Sequence, residues 1–390
     1  MRRPHPATRM LPFAPPENTE AESGGRGSVR AAWPMVKLGE VCSSISDGDH
    51  LPPPKSETGI PFVTISDIKH NKFDLSNTRF VPQAYFDTID EKRRIRKGDV
   101  LYSVVGSYGI PVYAEKDLNI AFQRHLAILK PGDSIDSRFL YYSMLNPAFF
   151  GQADNVAIGA AQKTITLSAL RNLEILLPPL PVQRRIASIL SAYDDLIENN
   201  RRRIALLEET ARLTYRKWFA EPERTKIVSL EEVADVLYGK DHKKISDGSI
   251  PIFGSGGVMR YGATAIFDKP SVLIPRKGTI GNVMYVDEPF WTVDTMFFTR
   301  FRIPHMEKIL FYQLCEYDLS SMSTGAAVPS MTTAILNSLE ISVPSDDLRV
   351  SFDLLVEPLF VQKRLLGKHN AALAATRDLL LPKLMKGTAI

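Results

Sequence analysis

Two stretches of the chain carry apolar residues at a period of 3.5, and each follows a longer stretch of short apolar runs. In the first, Ile186, Leu190, Tyr193, Ile197, Asn200, Ile204, Leu207, Ala211, Thr214 and Trp218 alternate steps of four and three residues. A seam sustained over several heptads predicts a coiled-coil helix. In the second, Phe352, Leu355, Leu359, Gln362, Leu366, His369, Leu373, Thr376 and Leu380 follow the same rhythm with more polar members. Pro358 either kinks this helix or marks its start. A helix of about 35 residues spans ~50 Å at 1.5 Å per residue, so each is a spacer by geometry. The two can pair with each other, antiparallel because a globular segment intervenes, or each can join a bundle with a partner protein.

Ahead of each helix, runs rich in Val, Ile, Phe and Tyr alternate with Gly, Pro, Asp and Asn, the pattern of strands and turns. Residues 60–65, 100–105, 120–129, 272–274 and 282–286 are examples, with shorter helical stretches at 137–145 and 307–316. These segments repeat. Lys37-Leu38-Gly39-Glu40-Val41 recurs as Ser229-Leu230-Glu231-Glu232-Val233, and Gly59-Ile60-Pro61-Phe62 as Ser249-Ile250-Pro251-Ile252. Val100-Leu101-Tyr102 with Gly106 and Gly109 matches Val272-Leu273-Ile274 with Gly278 and Gly281. Gly159-Ala160-Ala161 matches Gly325-Ala326-Ala327, and Leu173-Glu174-Ile175 matches Leu339-Glu340-Ile341. Two copies of one module stand in tandem. The first ends at Leu177-Pro178-Pro179-Leu180, where proline can open a helix but not sit inside one.

Composition adds limits. No apolar run reaches the ~18–20 residues of a membrane span. Two cysteines, Cys42 and Cys315, cannot make a disulfide framework and fit a reducing cytosol. The net charge of +4 neither demands nor excludes nucleic acid. Its partition is +2 for residues 1–34, 0 for 35–179, +3 for 180–219, −3 for 220–344 and +2 for 345–390. No segment is a polybasic arm, so a nucleic-acid surface would need local clustering on a folded face. Residues 1–34, rich in Pro, Gly and Arg without periodicity, read as a disordered leader, and they lack the apolar core of a secretory signal.

Catalytic constellations are missing: there is no Walker loop, His-Glu-x-x-His, Gly-x-Ser-x-Gly or Cys-x-x-Cys. Asn146-Pro147-Ala148-Phe149 is similar to the base-gripping loop of amino-methyltransferases, but lacks the second proline and a cofactor loop; a helix-ending turn is the plainer reading. Asp90-Glu91-Lys92 reads as a solvated charge run. His50, in Asp47-Gly48-Asp49-His50, suits either a contact role or a structural hydrogen bond, and no histidine pair has metal-ligand spacing. The residues suited to DNA lie in the globular parts. They are Lys69, His70 and Lys72; Arg93, Arg94, Arg96 and Lys97; Ser107 and Tyr108; Lys163; Ser255 in a Gly-rich loop; Arg260; and Arg276, Lys277 and Thr279. Arg and Lys contact phosphates and read guanine. Each cluster alone also reads as solvated surface.

The tandem pattern resembles the specificity subunit of Type I restriction-modification enzymes over roughly residues 35–388. Asp47-Gly48-Asp49-His50, Arg96-Lys97-Gly98-Asp99-Val100-Leu101 and Leu177-Pro178-Pro179-Leu180 carry the likeness in the first copy. Ile274-Pro275-Arg276-Lys277-Gly278-Thr279-Ile280-Gly281, Phe290-Trp291-Thr292-Val293-Asp294-Thr295 and the closing Arg377-Asp378-Leu379-Leu380-Leu381-Pro382-Lys383 carry it in the second. Where the family usually has Glu-Gln after the Pro-Pro-Leu step, this chain has Pro181-Val182-Gln183, and the leader has no counterpart. The resemblance implies an α+β fold: two tandem strand-rich α/β target recognition domains separated by two long antiparallel coiled-coil helices. The expected divisions are 1–34 leader, 35–179 and 222–345 recognition domains, and 180–221 and 346–387 conserved spacer helices. It further implies a cytoplasmic, non-catalytic subunit that reads a bipartite double-stranded DNA target and recruits two methyltransferase subunits and restriction subunits. S-adenosylmethionine, ATP and Mg would then be used by those partners, and none by this chain. A methyltransferase or fused restriction enzyme would need a cofactor loop and an intact catalytic tetrad. A coiled-coil scaffold without DNA readout would leave the duplicated domains unexplained.

Overall fold

The computed structural model describes residues 33–160, 162–219, 225–322 and 330–388. The expected leader, except its last two residues, and the repeated phrase Gly325-Ala326-Ala327 lie outside them. The chain divides into two compact units, Met1–Arg184 and Arg185–Ile390.

In the first unit, strand Met35–Lys37 pairs antiparallel with Glu174–Leu176, tying the ends of the strand-rich segment together. A single helical turn, Leu38–Val41, follows because Glu40, at its third position, accepts a hydrogen bond from Lys37 N at 3.4 Å while Leu38 and Val41 are buried. The main sheet runs in the order Cys42–Asp47, Leu126–Pro131, Val100–Ser103, Pro111–Tyr113, all antiparallel. Its two central strands are apolar at successive positions because both their faces are covered. A smaller sheet sets Ile60–Val63 antiparallel to Arg79–Val81 and parallel to Ala121–Phe122.

The second unit repeats this scheme. Thr225–Ser229 pairs with Glu340–Pro344, and Glu232 accepts from Ser229 N at 3.1 Å to close the turn Leu230–Val233. The main sheet runs Ala234–Tyr238, Met296–Phe301, Ser271–Pro275, Met284–Val286. In the smaller one Asp247–Gly254 is antiparallel to Gly257–Gly262 and parallel to Trp291–Thr292. In these sheets strand order and sense match the first unit, whose hairpin Ile68–Lys69/Lys72–Phe73 has no counterpart among the described residues.

One glycine position recurs in both copies for the same reason. Gly48 N donates to Leu126 O and Gly239 N to Met296 O. A Cβ on Gly48 would lie 2.1 Å from Phe122 O, and one on Gly239 2.0 Å from Val293 O. Neither glycine has a positive φ. Glycine is required here by the approach of a second backbone, not by its own conformation.

The long helices are Leu180–Trp218 and Asp346–Met385. Pro358 lies inside the second and does not start it. Within the second unit the helices pair antiparallel: Asp194 meets Arg377, Asn200 meets Asn370, and Glu208 meets Lys363. All ten first-helix positions of period 3.5 are buried or half-buried, Ile186, Leu190, Tyr193, Ile197, Ile204, Leu207 and Trp218 among them. On the second helix Leu366 is buried and Leu359, Leu373 and Leu380 are half-buried, but Leu355, Gln362, His369 and Thr376 are exposed. Val356, Phe360 and Leu381 take inside places instead. The physical reason is that the first half of this helix covers its own module: Phe352, Val356 and Phe360 belong to one core with Tyr215, Leu230, Leu310 and Ile341.

Candidate functional site

In the first module, the loops expected to carry contacts come together at one end of the main sheet. The segment after Val100–Ser103 turns at Gly106 and Gly109, both with positive φ. Gly106 N donates to Lys163 O, and Val105 bridges Thr164. Ser107 is exposed at this turn, and Tyr108 stacks on Phe150 with centroids 6.0 Å apart. Lys163 ion-pairs with Asp154 at 2.8 Å and lies over the Tyr108 ring. The Asp154 carboxyl is held below its usual range by hydrogen bonds from Lys163 and Tyr108.

On one side of this turn, a notch of about 330 Å³ is lined by Asp47, His50, Arg124, His125, Gln162 and Thr164 among others. His50 is hydrogen-bonded to Asp47 at 2.9 Å. His125 has its pKa lowered by burial and by Arg124. On the other side, a cavity of about 430 Å³ is lined by His70, Asn71, Gly109 and Phe150. His70 and Asn71 form the positive-φ tip of the hairpin Ile68–Lys69/Lys72–Phe73, and the Asn71 amide donates to Pro111 O.

Most cations singled out from the sequence in this module have internal partners. Lys69 pairs with Asp74, Arg93 with Asp49, and Arg96 with Glu91 and Asp117. Arg94 donates to Ile89 O and Asp87 O and lies over Phe86. Lys72 is exposed and also partnered. Lys97 is exposed with no ion pair among the described residues. The run 93–97 therefore serves largely as a structural brace. Asp49 is its anchor, buried and also accepting from the Tyr85 hydroxyl at 2.7 Å. Arg124, the exposed guanidinium of the notch, carries no local mark that singles it out; its position beside a Gly-requiring crossing is visible only in the fold. Asn146 caps the helix Pro147–Val156 by accepting from Ala148 N, and Phe149 is buried against Tyr102. That motif is a helix start.

In the second module, Ser255 sits in the turn between Asp247–Gly254 and Gly257–Gly262, against Gly278, where a Cβ would meet Ser255 Oγ at 2.5 Å. Asn282 donates to Ser255 O, joining this turn to the 276–281 loop. Lys277 and Thr279 are exposed, and Arg276 lies over the Tyr238 ring at 5.5 Å. Lys240 is exposed beside them, its carbonyl accepting from Trp291 Nε1. Arg260 is spent on structure: it donates to His242 O, Ile245 O and Asp247.

A buried amide was also missed. Gln183 donates to Ser134 O and Pro178 O and accepts from Asp136 N at 2.8 Å, fixing the start of the first long helix to its module. Arg349, five residues after Pro344 as Gln183 is after Pro178, donates to Pro344 O and Pro304 O in the second copy. No helix among the described residues is long and apolar enough to cross a membrane.

The chain belongs to the Type I restriction modification DNA specificity domain family, whose model matches residues 31–209 and 222–348. It is 22% identical to the Type I restriction enzyme MjaIX specificity subunit of Methanocaldococcus jannaschii, over 95% of this chain and 96% of that one. The HindI specificity subunit of Haemophilus influenzae is 25% identical over 51% of this chain. The first relatives are matched over only about half their length, 51%, 44% and 44%. The crystal structure of a Type-I restriction-modification system S subunit from M. genitalium has a TM-score of 0.61 at 18% identity, covering 92% of this chain and 97% of that one; the likeness is of fold.

Proposed function

We propose that this chain reads a two-part DNA target, one part per module, and presents its helices to the methyltransferase and restriction subunits of a cytoplasmic Type I complex. The observation that carries this reading is the duplication. Two modules of identical strand order each end in a glycine-turned loop cluster, yet the side chains on the two clusters differ. Identical scaffolds with unlike contact residues suit two different half-sites. On this reading Ser107, Tyr108, Lys97, Ser255, Arg276, Lys277 and Thr279 face DNA. Chemistry belongs to the partners, which bring S-adenosylmethionine, ATP and Mg. Two exposed leucine rows support docking: Leu206 and Leu213, one heptad apart on the first long helix, and Leu365 and Leu379 on the second.

The test is the host methylome with and without this gene. Loss of one bipartite adenine-methylation motif is expected, and replacing Arg276 and Lys277 by alanine should degrade one half of that motif while sparing the other. An unchanged methylome, with the gene expressed, would refute the specificity role. Capture of the chain by partners with no DNA dependence would favour a coiled-coil scaffold.

A further inference from the structure

The crossing at Gly48 and Gly239 holds a pair of equivalent positions with opposite charge. Gln123 N donates to Val63 O and Leu126 N to Gln123 O; Val293 N donates to Phe253 O and Met296 N to Val293 O. These matched bonds make Gln123 the counterpart of Val293, and so Arg124 the counterpart of Asp294. Both side chains are exposed, and neither has an ion-pair partner among the described residues. Arg124 stands apart from the neighbouring cations that are spent on Asp49, Glu91, Asp117 and Asp154.

Its backbone is also unusually constrained. Arg124 N donates to Asp49 O at 3.0 Å, and Asp49 N donates to Phe122 O at 2.9 Å, across the contact that admits only glycine at position 48. A flexible side chain is thus mounted on a rigid base, at the rim of a notch whose other polar groups come from Asp47, which is hydrogen-bonded to His50, and from His125, Gln162, Thr164 and Thr166.

Resting on the DNA-reading role above, we propose that Arg124 is a specificity-determining residue of the first module, directed at a guanine of its half-site. A guanidinium can donate two parallel hydrogen bonds to guanine O6 and N7, a pattern no other base offers in the major groove. Asp294, an acceptor, cannot make that contact and suits the amino group of cytosine. The two modules therefore read unlike bases at equivalent places, and the halves of the target are not related by symmetry.

The experiment compares methylomes of a host carrying the wild-type chain, Arg124→Ala or Lys97→Ala, with binding of the purified chains to duplexes varied at each half-site base. For Arg124→Ala, discrimination at one guanine should fall on the order of ten- to a hundred-fold while the other half-site and the unread gap stay fixed. Lys97 does not line the notch, so its replacement should weaken binding evenly over all sequences. Equal loss on all four bases in the Arg124→Ala duplex series, even where the variant methylates nothing in the cell, would make Arg124 a phosphate contact and overturn the assignment. An unchanged motif would overturn it too. Absence of any bipartite motif in the wild-type host would remove the DNA-reading role itself, and this inference with it.

Discussion

Replacing Gly239 by alanine tests the scaffold at the point where both modules depend on it. A Cβ there would sit 2.0 Å from Val293 O and 2.6 Å from Thr292 O. Carbon and oxygen need about 3 Å or more, so one backbone must retreat by about 1 Å. That motion acts on Gly239 N to Met296 O at 2.9 Å, Lys240 N to Thr292 O at 2.9 Å and Val293 N to Phe253 O at 3.0 Å. Three backbone bonds at about 1 kcal/mol each give a destabilisation of about 3 kcal/mol. Trp291 reports locally, because its Nε1 donates to Lys240 O beside the substituted residue. Urea unfolding of Gly239→Ala should show an earlier transition in tryptophan fluorescence, and Gly48→Ala should lower the first unit's stability by a similar amount. A loss under about 0.5 kcal/mol in both would refute the close-approach argument.

Three further outcomes are expected. Gln183→Ala should cost about 2–4 kcal/mol, since it strands a half-buried N–H and two carbonyls that the amide now satisfies; a thermal melt within 1 °C of wild type would contradict this. Burial disfavours the Asp353 carboxylate, but hydrogen bonds from Lys308 and His305 outweigh it and hold its pKa below the usual value. The stability from Asp353 is then fully present above about pH 4 and lost as pH falls through the lowered folded value, so melting curves of wild type and Asp353→Asn should converge in acid; parallel curves from pH 6 to 3 would exclude it. Finally, if only the unpaired cations Lys97, Arg124, Lys240, Lys277 and the ring-stacked Arg276 neutralise phosphates, log K for DNA should fall with log salt at a slope of about −4.5. A slope near −9 would mean that the internal pairs open on binding.

The repeat, the helix pair and the antiparallel arrangement were legible because they rest on periodicity and on phrases such as Leu38-Gly39-Glu40-Val41, where a cap and two buried apolar groups leave a local mark. The proposed contact surface was legible only by residue type. Nothing local distinguishes Arg93, which braces Asp49, from Arg124, which faces solvent; the difference lies in strands some eighty residues apart. The second helix shows the same limit. Its period of 3.5 selects Leu355 and Gln362, but the helix also covers Tyr285 and Tyr312 through Phe360, and that packing turns Val356 and Phe360 inward.

The duplicated positions separate what the fold must keep from what it is free to change. Gly48 and Gly239 satisfy a distance between backbones, and only one residue type meets it. Gln183 and Arg349 perform the same attachment of a helix start with different chemistry, because carbonyl acceptors five residues upstream can be met by an amide or a guanidinium. Arg124 and Asp294 stand at equivalent positions, both exposed, with opposite charge. Backbone bonds fix where a side chain stands without fixing what it is. A module built in this way can change the group it presents while its sheet, its end-strand pairing and its helix attachment stay the same. On the proposed reading, this is how one scaffold used twice can address two different half-sites.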